Sequence, residues 1–366
     1  MYKSLVINPG STSTEIAVFA DAEEEWQFAI SHDKEDLEEF NDIIDQLEWR
    51  EELILQKLNQ EDYGLKDFDF IVARGGLLAP IPGGTYAVDS TMVEELKSCR
   101  YGEHASNLAG IIAYNFAREA DIPAYTVDPV AVDEFNPVAR LSGLPELPRR
   151  CQSHALNLKG VARKCAQELG EDIESLNLIG AHLGGGISVA PVKQGEIIDV
   201  NNANQGGPFS PERVGTLPAL DLVEYIFEEE PDQDELKKDL VGRGGLSAYL
   251  DTADARKVEE LIESGDEKAE KIYEAMIYQI GKEIGKMAAV LSGEVEAIFI
   301  TGGLAHSDYL ASRLKNRIEF IAPVFVYPGS EELINLVRGG LRAIKGDENT
   351  RDYESSRLDI ESQLID

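Results

Sequence analysis

Short apolar runs alternate along this chain with turns of glycine, serine and threonine. The first run, Leu5-Val6-Ile7, reads as a strand. Asn8-Pro9-Gly10-Ser11-Thr12-Ser13-Thr14 follows, dense in turn formers and hydroxyls. Ile16-Ala17-Val18-Phe19 returns, so the segment predicts a β-hairpin with a small polar turn. Leu37, Phe40, Ile44, Leu47, Ile54 and Leu58 recur near helical spacing, which predicts one or two amphipathic helices with acidic outer faces. Phe70-Ile71-Val72-Ala73 is a buried strand ended by Arg74-Gly75-Gly76. Residues 77–84 hold too much proline and glycine for regular structure. A helix is expected over residues 105–120, and Ala124-Tyr125-Thr126-Val127 is a strand that delivers Asp128 at its C-terminal end.

The second half repeats this opening. Leu178-Ile179-Gly180-Ala181-His182-Leu183 leads into Gly184-Gly185-Gly186, and Ile187-Ser188-Val189-Ala190 returns. Residues 5–19 and 178–192 share a plan of strand, tight small-residue turn and strand, which predicts a duplicated architecture with one hairpin per domain. Ala297-Ile298-Phe299-Ile300 ends in Thr301-Gly302-Gly303, and Pro323-Val324-Phe325-Val326-Tyr327 is a further strand. Long helices are expected over 266–291 and 331–345, and the polar tail after Gly346 is expected to be loosely held. Strands alternating with helices define an α/β fold class. The expected division is an N-terminal domain over 1–155, with a C-terminal helix at about 335–356 packing on it, and a C-terminal domain over 156–334. No low-complexity linker marks the boundary.

Length and composition support this division. The 366 residues are too many for one compact core, and apolar residues at 43% supply enough to bury two. No apolar run nears the roughly 18 residues of a membrane span, and the start is not that of a signal peptide, so a cytoplasmic protein with no membrane partner is expected. Cys99, Cys151 and Cys165 fit no zinc spacing and read as reduced thiols. The 68 acidic against 34 basic residues leave a net charge of −34, which argues against a nucleic-acid partner. The same charge repels ATP, so a nucleotide site must supply local positive charge or metal. Solubility explains the acidity, and adaptation to a saline habitat is the sharper alternative.

The chain contains no G-x-x-x-x-G-K-[ST], no H-E-x-x-H and no G-x-S-x-G. Its candidate chemistry lies in the turns. Asn8, Ser11, Thr12 and Ser13 can hydrogen-bond a phosphate or the water shell of its metal, although one such turn alone is more readily an ordinary hairpin. Gly184, Gly185 and Gly186 change that balance, because a plain turn needs only one or two glycines. Two such turns can grip one polyphosphate from both sides. Thr301, Gly302 and Gly303 form a third place where backbone can lie against a ligand, with simple strand-to-helix packing as the competing reading.

Taken in order, these segments resemble the superfamily of acetate and sugar kinases, heat-shock chaperones and actin. Within it the chain is most similar to the butyrate kinase family. The residues that carry the resemblance are Asn8 to Thr14, Arg74-Gly75-Gly76-Leu77-Leu78, His154-Ala155-Leu156-Asn157, His182 to Ser188 and Thr301-Gly302-Gly303. They run in family order from residue 5 to about 345. Acetate kinases carry His-Arg-Val-Val-His-Gly-Gly where this chain has Ile71-Val72-Ala73-Arg74-Gly75-Gly76, and Gly-Ile-Gly-Glu-Asn where it has Thr301-Gly302-Gly303-Leu304-Ala305. Both departures point to the butyrate kinases.

The resemblance implies a duplicated two-domain, actin-like ATPase fold of ribonuclease H-like domains, with ATP in the interdomain cleft and the C-terminal domain binding the nucleotide. It implies reversible in-line transfer from ATP to butyrate, giving ADP and butyryl phosphate, with Mg2+ required. Such a transfer needs charge neutralised, for which Arg74 and Arg213 are the candidates, with a surface salt bridge as the other reading of Arg74 and an irregular loop position as that of Arg213. The resemblance implies His154 as a contact to the phosphoryl group in flight, or else a buried histidine near a helix N-cap. His182 either donates to phosphate or packs. Asp128 holds magnesium or orients the arginine, or else caps the next element. One of Glu331 and Glu332, with Glu332 preferred, joins Asn8 in binding magnesium through water. A homodimer or larger homo-oligomer is expected. Acetate or a branched acid such as isobutyrate remains an alternative substrate. A nucleotide-binding ATPase or sensor is the alternative of a different class, and a sugar kinase would need a general base for its hydroxyl.

Overall fold

The computed structural model describes residues 1–360. Two compact units emerge, Met1–Asp133 with the chain from Glu331 onward, and Glu134–Ser330. The first is built on strands β1 (Lys3–Pro9), β2 (Ser13–Ala20), β3 (Glu23–Ser31), β4 (Phe70–Ala73), β5 (Thr85–Ala87) and β6 (Ala124–Val127), in the sheet order β3-β2-β1-β4-β6-β5. Val6 of β1 sits opposite Ala17 in the antiparallel pair with β2, and opposite Val72 in the parallel pair with β4. Leu5, Val6 and Ile7 are all fully buried, because β1 is central and both faces of its sheet are covered. Ile71 and Ala73 share a core with Leu108, Ile111 and Ile112 of the helix Asn107–Ala120. Phe70 alternates to the other face. There a Cβ on Gly340 would stand 2.4 Å from its ring, so the helix Glu332–Lys345 packs with its backbone close to the sheet.

The second unit repeats the plan. Its strands are β7 (Asn177–Leu183), β8 (Ile187–Lys193), β9 (Glu196–Ile197), β10 (Ala297–Gly302) and β11 (Val324–Pro328), in the order β11-β10-β7-β8-β9. β7, β8 and β9 are antiparallel neighbours, and β7, β10 and β11 pair in parallel. Five strands of the first sheet match these, with β1, β2 and β3 antiparallel and β1, β4 and β6 parallel, and β5 is an addition at its edge. The duplication expected from the two hairpins is therefore present in topology. The helix Glu267–Val290 closes this core with Tyr273, Met276, Ile277, Ile280 and Ile284.

Several expectations change. The apolar pattern over 37–58 resolves into a short helix Lys34–Leu37, a 3-10 turn Ile43–Gln46 and the helix Leu47–Gln60. β3 is not marked by the sequence pattern, because it is an edge strand that opens Glu23-Glu24-Glu25 and turns apolar only at Phe28-Ala29-Ile30. The helices Ser90–Ser98 and Ala219–Glu229 are not marked by the sequence pattern, whereas Asp308–Ile318 is the helix expected after Thr301-Gly302-Gly303. The first unit ends at Asp133, not at residue 155. Glu134 accepts from Lys159 Nζ at 2.7 Å and from Ile197 N at 2.7 Å, and Asn136 N donates to Ile198 O at 3.0 Å. Arg149 donates to Asp199 Oδ1 at 2.7 Å. These bonds bind the intervening chain to the second sheet. At the other end the division falls at Ser330/Glu331, just before the helix Glu332–Lys345, not at 334/335. That helix ends at Lys345, and Tyr353–Ser356 is a separate turn of helix rather than its continuation.

The described part of the tail is anchored, not loose. Tyr353 is fully buried and its hydroxyl accepts from Ala79 N at 3.1 Å, while Arg351 N donates to Thr85 O at 2.8 Å. Residues 361–366 lie outside the described residues. Cys99, Cys151 and Cys165 are free thiols, and no described helix is long and apolar enough to cross a membrane.

Lys159 and Glu134 are both nearly buried, at 5% and 7% side-chain exposure, and Lys159 also donates to Gly195 O at 2.8 Å. Removing one partner strands the other charge. Lys159→Met is expected to destabilise the second unit by about 3 kcal/mol. Urea unfolding followed by circular dichroism checks this, and an unchanged midpoint would contradict it.

Candidate functional site

In the first unit the candidate residues lie at strand ends. Asn8, near the end of β1, faces Glu15 across the hairpin and donates to its Oε2 at 2.8 Å. Ser11 and Thr12 are exposed at the turn and Ser13 is half-buried. Gly10 N donates to Ser13 O at 2.7 Å, closing the turn. A buried cluster lies beneath it. Arg50 Nη1 donates to Gly10 O at 2.9 Å and to Thr14 Oγ1 at 3.0 Å, and Thr14 Oγ1 lies 2.8 Å from His32 Nε2. Thr14 Oγ1 therefore lies between the Arg50 guanidinium and the His32 ring. Burial, helped by the Arg50 charge, pushes the His32 pKa down to about 4. Sequence pattern did not single out Arg50 or His32, because neither lies in a turn motif.

Arg74 follows β4 directly, and its N–H donates to Ile7 O at 3.1 Å. Its guanidinium is paired with the Glu332 carboxylate, although 258 residues separate them. Gly75 is small because a Cβ there would stand 2.1 Å from Pro129. Asp128 is buried, and its Oδ1 accepts from Gly84 N at 2.8 Å while its own N–H donates to Gly84 O at 3.0 Å. It therefore braces the 77–84 loop. Glu331 pairs with Arg338 at 3.3 Å.

In the second unit the turn Gly184–Gly186 is the focus of the site. Gly184 N donates to Gly186 O at 3.2 Å. None of the three glycines has a positive φ, so their use is steric. A Cβ on Gly186 would stand 2.1 Å from Arg213 Nη1, and one on Gly185 would stand 2.7 Å from Glu212 Oε2. The turn is bare so that Arg213 and Glu212 can lie against it. Ser210 ties the two segments together, since its Oγ donates to Gly185 O at 2.5 Å and accepts from Arg213 N at 3.1 Å. Burial draws the Arg213 pKa below its usual value and Glu212 opposes the shift.

His154 caps the helix Ala155–Leu169 and stacks on His182, with ring centroids 4.0 Å apart and planes 13° from parallel. His154 Nδ1 lies 2.9 Å from Ser188 Oγ, and His182 Nδ1 lies 2.9 Å from Asn157 Oδ1. Asn157 was visible only as the last residue of the His154-Ala155-Leu156-Asn157 segment. Thr301, Gly302 and Gly303 divide. Thr301 Oγ1 donates to Gly329 O at 3.0 Å, so its hydroxyl serves the strand end. Gly302 adopts φ +93°, and a Cβ there would stand 2.3 Å from Leu183 O, so only glycine fits between β10 and β7. Gly303 faces open space. With Gly184, Gly185, Glu212, Asp254 and His306 it lines a cavity of about 540 Å³, a size that suits a small organic ligand.

Among the described residues no group of three or more His, Cys, Asp or Glu side chains is placed to hold a metal. Asn8 and Glu332 offer the hard oxygens that magnesium takes, with Glu332 already engaged by Arg74.

Comparison with known proteins agrees with this organisation. The sequence signature of the acetokinase family matches residues 146–321. The protein named "Probable butyrate kinase 2" from Caldanaerobacter subterraneus subsp. tengcongensis is 50% identical over 353 residues, covering 96% of this chain and 100% of that one. The "Probable butyrate kinase" of Clostridium botulinum strain Eklund 17B is 47% identical, covering 96% of this chain and 99% of its own. The crystal structure of Porphyromonas gingivalis acetate kinase aligns with a TM-score of 0.77 at 18% identity, over 94% of this chain and 100% of that one. This likeness is one of fold, in two α/β units.

The His32 environment has a consequence for stability. The folded ring resists protonation down to about pH 4, whereas the unfolded ring protonates near 6.5. Below 6.5 the unfolded state binds more protons, so this contribution is present above 6.5 and is lost as pH falls toward 4. Between pH 7 and pH 5 the loss is about 2 kcal/mol. Urea unfolding at both pH values should show a steeper decline in the wild type than in His32→Gln. Equal declines would contradict the assignment.

Proposed function

This chain belongs to the acetokinase family, and we propose that it transfers the terminal phosphoryl group of ATP to butyrate, reversibly, giving ADP and butyryl phosphate in the cytoplasm. The observation that carries the reading is the convergence of Arg213, His154 and His182 on or beside the bare Gly184–Gly186 turn, at the edge of a ligand-sized cavity. The choice of acid follows the relatives, two of which are named for butyrate over nearly their whole length.

The chemistry needs no general base, because a carboxylic acid of pKa near 4–5 is already ionised at neutral pH. The difficulty is bringing one anion to the end of another. Arg74 takes the carboxylate, for which a planar guanidinium is suited. Arg213 neutralises the charge on the transferring group, and the stacked His154 and His182 contact its oxygens. The backbone of Gly184 to Gly186 approaches the phosphates, Gly303 leaves room for the nucleoside, and Asn8, Ser11, Thr12 and Ser13 bind phosphate through the other hairpin. Asn8, Asp128, Glu331 and Glu332 are the residues that would hold Mg2+, and the ion would supply positive charge to offset that of the phosphates.

A second copy of the chain covers the helix Ala219–Glu229 in this reading. That helix buries none of its own residues, and Leu220 and Phe227 are each 78% exposed on one face. Sedimentation should therefore show a dimer or larger homo-oligomer, reduced to monomer by Leu220→Glu with Phe227→Glu. A wild-type monomer at micromolar concentration would contradict this.

Two measurements test the activity. A hydroxamate assay over C2 to C6 acids with ATP and Mg2+ should peak at butyrate, with neighbours differing by about 1–3 kcal/mol per methylene. ATP hydrolysis unaffected by any acid would reject the kinase reading. Arg74→Ala should lower kcat about a hundredfold or more with the fold intact. Unchanged turnover would show that another cation holds the acid.

A further inference from the structure

The first hairpin turn rests on a buried cation that the reaction above leaves unused. Arg50 is 0% exposed. Its Nη1 donates to Gly10 O at 2.9 Å, Ser13 O at 3.4 Å and Thr14 Oγ1 at 3.0 Å. Its Nε and Nη2 both donate to Gln46 Oε1, at 3.1 and 2.8 Å. None of these acceptors is a carboxylate. A buried charge without a counter-charge is costly, and buried arginines are ordinarily paired. In a chain with 68 acidic residues a partner would be easy to supply. Arg50 is held by neutral oxygens instead, directly beneath an exposed turn of glycine and hydroxyl residues.

The geometry gives the cation a direction. A trans peptide points its N–H opposite to its C=O. The Gly10 carbonyl is drawn down to Arg50, so the Ser11 N–H points away from it, toward the side where Ser11 and Thr12 are exposed. The neighbouring His32 adds no charge at neutral pH, since burial keeps it neutral. Burial pushes Arg50 itself down to about 10, which leaves it charged.

We propose that Arg50 is a positioning residue for the nucleotide phosphates. It holds the Gly10–Ser13 turn with its donors outward and supplies, from behind, the positive charge that the turn's own residues lack. The inference rests on the reading that this turn binds phosphate. Its signature is a dependence on the number of phosphates, which a merely structural role would not produce.

The experiment is calorimetric titration of the full chain with adenosine, ADP and ATP in the presence of Mg2+. In Arg50→Met, ATP affinity should fall tenfold or more, ADP affinity less, and adenosine affinity by under twofold. Arg50→Lys, which keeps the charge and loses the fork, should recover part of the ATP loss. Equal weakening for all three ligands, or unchanged ATP binding, overturns the proposal. If Arg50→Met does not fold, Gln46→Met loosens the same guanidinium. It is expected to cause a smaller loss, again confined to the phosphorylated ligands, and a loss shared by adenosine overturns the proposal. Ser11→Ala with Ser13→Ala separates the two readings. If the wild type gains nothing from phosphates through this turn, the phosphate reading fails and takes the Arg50 inference with it. If the turn variant loses the ATP preference while both Arg50 variants keep it, the Arg50 inference fails alone.

Discussion

Positive charge is the scarce quantity in this chain, and its site chemistry depends on keeping cations from being quenched by the surrounding carboxylates. With a net charge of −34, carboxylates are close at hand for many exposed arginines. Arg243 and Arg256 show this, each paired with a nearby carboxylate in the open. The arginines at the candidate site are handled differently. Arg213 is pressed against a glycine turn that has no side chains to block it. Arg50 is roofed by backbone carbonyls. Arg74 is the exception, paired with the Glu332 carboxylate where the helix Glu332–Lys345 begins.

The duplicated sheets show how one piece of topology is put to two uses. β1–β2 and β7–β8 are equivalent hairpins, and both carry their small-residue turn at the same end of an equivalent sheet. In the first the turn is padded from below by a buried guanidinium, and its hydroxyls are exposed. In the second the turn is bare, and Glu212 and Arg213 lie against it. Glycine in the second hairpin is therefore a matter of room rather than of backbone angle. Gly302 is the contrasting case, where both a left-handed φ and a carbonyl 2.3 Å from the ideal Cβ position demand glycine.

The parts of the fold that were legible in advance are those with a local cause. Hairpins, buried strands and the long helix Glu267–Val290 announce themselves through period and turn chemistry over a dozen residues or so. Elements without such a mark were missed. β3 is an edge strand with glutamates at its start, and the helix Ala219–Glu229 buries nothing within its own unit. Residues 134–150 carry only the short 3-10 turn Pro137–Arg140, too little for the sequence to assign them to a unit. Their allegiance is set by a buried Lys159–Glu134 pair and a few backbone bonds to the second sheet. The tail looked loose because it is polar, yet one tyrosine and a backbone bridge at Arg351 tie it to the first unit.

By itself the sequence determined that this is a duplicated α/β protein with small-residue turns after its first strands, and its ordered motifs named the family. It marked Arg74, Arg213, His154 and His182 as residues worth attention. It did not determine what any of them touches. Arg74 meets Glu332 from 258 residues away, His182 meets Asn157 from 25, and Arg50 reaches Gly10 from 40. Periodicity is a property of the local backbone, so it survives in the linear string. The environment of a charge depends on which distant chain is folded over it, and only the tertiary structure decides that.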